Sequence, residues 1–390
     1  MSAGGFGRAN LPYGIFRRAG ESARVGVRFG AGVLDLAALA ADGLLDDPGD
    51  AFGRPALNAF MAQGPAAWAQ TRARIERLVS GVDAEPELIA LEDVELLLPF
   101  AVADYVDFWS SIHHAANSGR IFRPRGEPLL PNWRHMPIGY HGRSGTVVPG
   151  GTPVRRPRGQ SRPDRDAPPV FGPSAKLDVE LELGFVVGTP SAMGEPVPVD
   201  RAAEHVFGVV LLNDWSARDI QAFESQPLGP FLGKSFATSI SPWVTPMAAL
   251  APFRADPLTA QDPVPADYLR EEPWALDVAL EIELNGETIA RTNARHLYWS
   301  VAQQIAHLTV NGASLRTGDL LGSGTISGPE RSERGSLLEL SWNGAEPVVL
   351  SGGGERTFLE DGDEVVLRGI AGDGDAAVAL GDVRGRIVAA

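Results

Sequence analysis

The stretch Leu177 to Gly188, Leu-Asp-Val-Glu-Leu-Glu-Leu-Gly-Phe-Val-Val-Gly, constrains the fold of this chain more than any other. Val179, Leu181 and Leu183 alternate with Asp178, Glu180 and Glu182, the period-two pattern of a β-strand with acids on one face and aliphatics on the other. Same-face carboxylates two residues apart lie ~7 Å from one another and repel unless water or a cation lies between them. A solvated outer face is the ordinary explanation of a Glu-x-Glu pair. Here Gly184-Phe185-Val186-Val187 turns continuously apolar, as in a strand entering a core, which makes the pair a candidate half of a metal site.

A chain of 390 residues exceeds one ordinary hydrophobic core, so two domains are expected. With 44% hydrophobic and 21% charged residues, the composition is globular rather than disordered. Its 49 acidic against 34 basic residues leave a net charge of -15, which disfavours binding to nucleic-acid phosphates or anionic lipid. No apolar run approaches the ~20 residues of a membrane span, and Met1 to Leu11 lacks the apolar core of a signal peptide. A soluble cytoplasmic protein is expected. With no cysteine, disulfides, thiolate catalysis and Cys-ligated zinc are excluded. Oxygen and imidazole remain as metal ligands, and carboxylates best suit hard cations such as Mg2+ or Ca2+.

Short strand-like runs, Tyr13 to Arg17, Arg24 to Arg28 and Val33 to Leu36, precede helical stretches at Ala56 to Met61 and Ala66 to Val79. Leu96-Leu97-Leu98-Pro99 closes this segment and places a boundary there, between units 1–98 and 99–390. The first unit gathers no titratable cluster and reads as a self-contained packing or assembly domain. Asp107 to Asn117 reads as a short helix ended by Gly119, which would put Asp107 and His114 on one side, two turns apart. Pro124 to Pro173 is a long Pro-, Gly- and Arg-rich loop region of a kind that is usually functional or mobile. Val206 to Leu212 reads as a buried strand running into Asp214, with Ser216 capping a helix that carries Arg218 and Gln221 on one face. Lys234 lies among Gly, Pro and aromatic residues that do not neutralise it, so it is exposed or paired with an anion from elsewhere. The remainder reads as mostly β. Trp274 to Leu284 meets an Asn285-Gly286 hairpin turn, Phe358 to Leu367 contains Asp361-Gly362, and one helix spans roughly Ser300 to Leu308.

No His-x-x-x-His zinc pattern, P-loop or dinucleotide-binding Gly-x-Gly-x-x-Gly occurs. What remains is a set of carboxylates, Asp107, Glu180, Glu182 and Asp214, each beside an aromatic or aliphatic run. Singly, each has a plain explanation: a helix cap at Asp107, a wet strand face at the glutamates, a turn former at Asp214. Their spacing does not show that they converge. His113 and His114 are adjacent and point in different directions on a helix, and a satisfied, partly buried histidine is the ordinary expectation for either.

Longer motifs narrow the choice. Asp107-Phe108 with His114, Leu130-Pro131-Asn132-Trp133, Gly139-Tyr140-His141-Gly142-Arg143, Leu212 to Asp219, Pro227 to Phe236 and Gly322 to Gly328 together resemble the fumarylacetoacetase family. The likeness runs from Asn10-Leu11-Pro12-Tyr13-Gly14 to Asp361-Gly362-Asp363-Glu364. The resemblance implies a mainly β fold with some α: a small SH3-like barrel, then a β-roll catalytic domain, in a homodimer. It implies hydrolysis of the carbon-carbon bond of fumarylacetoacetate to fumarate and acetoacetate, the last step of tyrosine breakdown. By the same resemblance, Asp107, Glu180, Glu182 and Asp214 bind one divalent cation, with Lys234 and Thr238 close by. His114 is the general base and Glu339 the acid paired with it. Arg123, Tyr140, Arg218, Gln221, Lys234 and Thr325 line the substrate site. Trp109 stands where better-known animal enzymes carry a substrate-contacting tyrosine, and an indole N–H donates but does not accept.

In such a reaction water is the nucleophile, since no cysteine and no Gly-x-Ser-x-Gly elbow are present. Lys234, Arg218 and Gln221 are the candidates to stabilise the oxyanion. Acylpyruvate hydrolysis and oxaloacetate decarboxylation are the nearest alternatives on the same fold. A noncatalytic, cation-stabilised assembly protein is another, which would need the acids but neither His114 nor Glu339.

Overall fold

The acidic stretch folds as two strands with a break between them, Leu177–Asp178 and Leu181–Val187. The computed structural model describes residues 4–47, 49–82, 86–164, 166–270 and 274–390, so Met1 to Ala3 of the expected first unit lie outside it, as does Arg165 of the long loop region. Every residue of Leu181–Val187 is buried, including Glu182. A wet outer face is therefore overturned. The reason is that both faces of this strand are covered, as the apolar run after Gly184 implied.

Among the described residues a 13-stranded sheet forms the backbone of the molecule. Its central path runs Tyr13–Arg17, Trp243–Pro246, Val206–Asn213, Leu181–Val187, Leu320–Gly322, Tyr105–Phe108 and Gly139–His141. Alternation sorts the central side chains. Leu181, Leu183, Phe185, Val209 and Leu211 enter a core shared with a second, six-stranded sheet built on Ala279–Leu284, Glu287–Asn293, Glu364–Ala371 and Val383–Val388. Val186, Val210 and Leu212 point the other way, into a core with Tyr13, Val27, Phe60, Ile75 and Leu78.

The first hundred residues thus share their core with the rest of the chain, and they are not self-contained. Tyr13–Arg17 pairs with Trp243–Pro246 through Tyr13 and Val244. On its other side the sheet curls: Arg24–Phe29, Gly32–Asp35 and Ile89–Ala90 follow in order, and the turn Leu91–Asp93 leads to Glu95–Leu97, which returns to Tyr13–Arg17. The result is a small barrel-like unit. The helices Asn58–Met61 and Pro65–Val79 cover its junction with the main sheet, and Leu36–Ala41, capped by Asp35, is a further helix that the pattern did not announce.

Several local expectations change. Asp107 is not helical: Tyr105–Phe108 is a strand, parallel to Leu320–Gly322, and the helix begins only at Ile112, capped by Ser111, and runs to Phe122. Asp107 and His114 therefore sit on different elements. Ser216 caps nothing; it lies in the short strand Ser216–Ala217, its Oγ donates to Asp214 O (2.9 Å), and Arg218–Glu224 starts without a side-chain cap. The loop region after Pro124 contains short strands, among them the sheet-edge strand Gly139–His141. Trp274 to Leu284 is split at Asp277 and Val278, and the last expected strand starts at Glu364, beyond the Asp361-Gly362 turn. The Asn285-Gly286 turn has φ of 53° and 86°, as a tight hairpin between these strands requires. Among the described residues no helix is long and apolar enough to cross a membrane.

Candidate active site

Four carboxylates from three separate segments meet at one end of the central strands. Asp107 pairs with Gly322 on one side and Tyr140 on the other. Glu180 occupies the break after Leu177–Asp178, where its N–H donates to Asn213 Oδ1 (3.1 Å). Glu182 lies opposite Leu212, and Asp214 follows directly on Val206–Asn213. One oxygen from each lies within 4.8 Å of the others, and none of the four residues is more than 4% exposed.

Burial and then the neighbouring Asp214 push the Asp107 carboxyl well above the ordinary carboxylate range. Burial, followed by Asp107 and Glu180, does the same to Glu182, and burial raises Asp214 against the pull of Lys234. Glu180 moves the other way. Burial would raise it, but Arg218 and Lys234 together outweigh burial and keep it ionised. Lys234, itself buried, donates to Glu180 Oε2 and to Asp214 Oδ2 (2.6 Å), so the anion it required is supplied by the acid cluster. Thr238 Oγ1 and the Tyr140 hydroxyl also donate to Asp214, at 3.2 Å and 3.0 Å.

Two oxygens are left over. Asp107 Oδ1 and Glu182 Oε1 are buried and have no hydrogen-bond partner among the described residues. Buried oxygens without partners are costly, and an all-oxygen donor set of this kind fits a hard divalent cation. Gly322 makes the room. A Cβ there would stand 2.5 Å from Asp107 Oδ1 and 3.1 Å from Glu182 Oε2.

Beside the acids stands a histidine with a prepared ring. His114 lies in the first turn of Ile112–Phe122, and its Nδ1 is 2.6 Å from Glu339 Oε2. Glu339 is fully buried and also accepts from Asn117 Nδ2, Ser327 Oγ and Ser336 Oγ, each at 2.9 Å. Burial would raise its carboxyl, but His114 and these donors bring it down to about 2. An ionised carboxylate only accepts, so Nδ1 must carry the proton, and in the neutral ring the lone pair is on Nε2. That atom lies 3.9 Å from Glu180 Oε1, facing the acid cluster. His113 turns away, toward His296, with ring centroids 5.5 Å apart.

Comparison with known proteins identifies the family. Residues 105–388 match the family model described as fumarylacetoacetate (FAA) hydrolase C-terminal, and residues 9–99 match fumarylacetoacetase N-terminal. The chain belongs to the fumarylacetoacetase family. It is 47% identical over 401 residues to the fumarylacetoacetase of Homo sapiens, covering 98% of this chain and 96% of that protein. It is 46% identical to that of Arabidopsis thaliana, covering 97% of this chain and 94% of that protein. In fold it resembles a fumarylacetoacetate hydrolase from Exiguobacterium antarcticum, with a TM-score of 0.58, 17% identity and coverage of 97% of this chain and 100% of that one.

In this fumarylacetoacetase-family chain the remaining expected residues fall into two groups. Arg218 joins the acids and holds Gln221 beside it: Arg218 Nη2 is 2.7 Å from Glu180 Oε1, and its Nη1 donates to Gln221 Oε1 (3.3 Å). Trp109 is partly buried with its ring edge-on to His114, the centroids 6.4 Å apart. Arg123 ends the helix that carries His114, and its described hydrogen bond goes to Pro128 O (3.0 Å). Thr325 is buried, and its hydroxyl has no partner among the described residues. Sequence reasoning missed Asn117, Ser327 and Ser336, which hold Glu339, and Asp178, which lies fully buried behind Arg218 at 2.8 Å from its Nε. The one available signal was the place of Asp178 in the acidic alternation.

Proposed function

We propose that this chain hydrolyses the carbon-carbon bond of fumarylacetoacetate, releasing fumarate and acetoacetate. The observation that carries the reading is the adjacency of a buried four-carboxylate cluster and a histidine whose Nε2 faces it while Nδ1 is committed to an ionised glutamate. A divalent cation, Mg2+ or Ca2+, held by Asp107, Glu180, Glu182 and Asp214 would supply Lewis-acid polarisation of the diketone oxygens. Lys234 and Thr238 hold Asp214 in place for that role, and Arg218 and Lys234 balance the charge of Glu180.

His114 Nε2 takes a proton from water, and Glu339 stabilises the imidazolium that results. The hydroxide adds to the carbonyl carbon next to the fumaryl double bond. Lys234, Arg218 and Gln221 bear on the developing oxyanion, and each donor of this kind is worth ~10²-fold or more in rate. The bond to the neighbouring CH2 carbon then breaks, that carbon keeps the electron pair, and the His114 imidazolium returns a proton to it. Trp109, Arg123, Tyr140 and Thr325 are assigned to substrate binding. Residues 1–98 and 99–390 are assigned as N-terminal and catalytic units of a cytoplasmic homodimer, a division and assembly that limited proteolysis and light scattering test. No nucleic-acid or membrane partner is assigned, which filter binding and vesicle sedimentation check.

The absorbance decay of fumarylacetoacetate on adding purified protein tests the activity. Decay that a chelator abolishes and Mg2+ or Ca2+ restores is expected. Absence of decay with either ion present would overturn the reading.

A further inference from the structure

Behind the site lies a carboxylate that touches neither the cation cluster nor the imidazole, yet joins the elements that carry both. Asp178 is fully buried. Its Oδ1 accepts from the N–H of Val179 (2.8 Å) and of Leu337 (2.8 Å), and its Oδ2 accepts from Leu338 N–H (3.0 Å) and Arg218 Nε (2.8 Å). All four acceptor directions of the carboxylate are therefore used. Leu337 and Leu338 are the first residues of the short helix Leu337–Leu340, which carries Glu339. Arg218, on the other side, reaches Glu180 Oε1 through Nη2 at 2.7 Å.

The connectivity is continuous. Glu180, of the acid cluster, leads through Arg218 to Asp178, from there to two backbone amides, and then within one residue to Glu339 and His114. Arg218 is 4% exposed, so neither member of the ion pair has water to replace a lost partner. Without the carboxylate, the guanidinium would lose its bond at Nε and the helix two of its N-terminal acceptors.

We propose that Asp178 is a positioning residue that fixes the His114–Glu339 pair and Glu180 at one relative placement, so that divalent-cation binding and the base are mechanically coupled through it. This rests on the cation reading above. The coupling runs in both directions: occupation of the acid cluster tightens the helix Leu337–Leu340, and loss of Asp178 degrades both ends of the site.

Three measurements decide it. Calorimetric titration of the wild-type protein with Mg2+ or Ca2+ alone tests the underlying reading separately; a wild type that binds neither ion sinks that reading and this coupling with it. In Asp178→Asn, folded by circular dichroism, the cation Kd is expected to rise ~10-fold or more and kcat to fall ~10²-fold, with a smaller change in KM. A merely structural role would lower Tm and leave Kd and kcat of the folded protein unchanged, and that result overturns the proposal. Because Asp178→Asn removes one of the two carboxylates that face Arg218 and risks misfolding, amide hydrogen exchange of Leu337 and Leu338 in the wild type is the arm that needs no variant. Slower exchange on adding the bound cation supports the coupling, and identical exchange with and without it overturns it.

Discussion

At the residue scale, the site separates into groups that hold charge and groups that move a proton. His114 contacts the acid cluster only at 3.9 Å from Glu180 and is not among its oxygen donors. In His114→Ala, kcat is expected to fall ~10²–10⁴-fold while the cation Kd stays within about twofold of wild type, read by steady-state kinetics beside calorimetry. Turnover near the wild-type rate would remove His114 from its role. Gly322 makes the opposite separation. Gly322→Ala sets a methyl 2.5 Å from Asp107 Oδ1 across the parallel pairing of the two strands, so cation affinity should drop at least ~10-fold with the His114–Glu339 pair intact. Equal affinities in variant and wild type would show that the strands yield. The alternation singled out Glu180 and Glu182, the motifs contain Asp107, His114 and Asp214, and the family resemblance added Glu339. Their burial, and the direction in which each carboxyl is shifted, were not, because a side chain's pKa depends on neighbours that are remote in sequence.

At the element scale, what matters is which segments are held rigidly behind the site. The helix Val301–Thr309 starts with a capping box between Ser300 and Gln303, and Gln304 Nε2 donates to Ser110 Oγ (2.8 Å), one residue before the cap of the helix that carries His114. Ser300→Ala should cost about 1 kcal/mol, a fall in Tm on the order of 1 °C, with kcat within about twofold of wild type. A large loss of kcat at unchanged Tm would instead mean that this helix tunes the base directly. The helix was placed to within a residue at each end, roughly Ser300 to Leu308 against Val301–Thr309, because its apolar pattern and the Asn311-Gly312 stop are local signals. The misreading at Asp107 shows the limit of such signals. Tyr-Val-Asp-Phe followed by Trp-Ser-Ser and a helical run has no breaker between its two halves, and pairing with Leu320–Gly322, more than two hundred residues away, and with Gly139–His141 makes the first half a strand. Ser216 failed for the same reason: pairing of Ser216–Ala217 with Leu177–Asp178 overrode a plausible cap.

At the scale of the whole molecule, the acid cluster couples cation, proton and stability. Asp107, Glu182 and Asp214 have folded-state pKa values above their unfolded ones, so the cation-free fold binds protons more tightly than the unfolded chain and loses stability as pH rises from the ordinary carboxylate range through those raised values. Glu180 and Glu339 are depressed, so their contributions are present above their ordinary values and are lost only on acidification below that range. His113, His296 and His307 are held below their ordinary value by burial and pull the other way up to about pH 7, so the fall in Tm of chelated protein is expected above that, between about pH 7 and about pH 8. Saturating Mg2+ or Ca2+ should raise Tm most at the alkaline end, with protons released on binding. Scanning calorimetry at the two pH values, with and without cation, checks this. A cation effect larger at the acid end would contradict the assignment.

The sequence by itself determined the family, the mainly β character, the absence of thiol chemistry and the residue types of the site, because motif identity and period-two alternation are local properties of the chain. Tertiary structure alone decided that Leu181–Val187 is covered on both faces, that the first hundred residues share a core with the catalytic sheet, and that Asp178 stands behind Arg218. Each of these depends on pairing between strands far apart in the chain, and alternation says which residues share a face without saying what that face will meet.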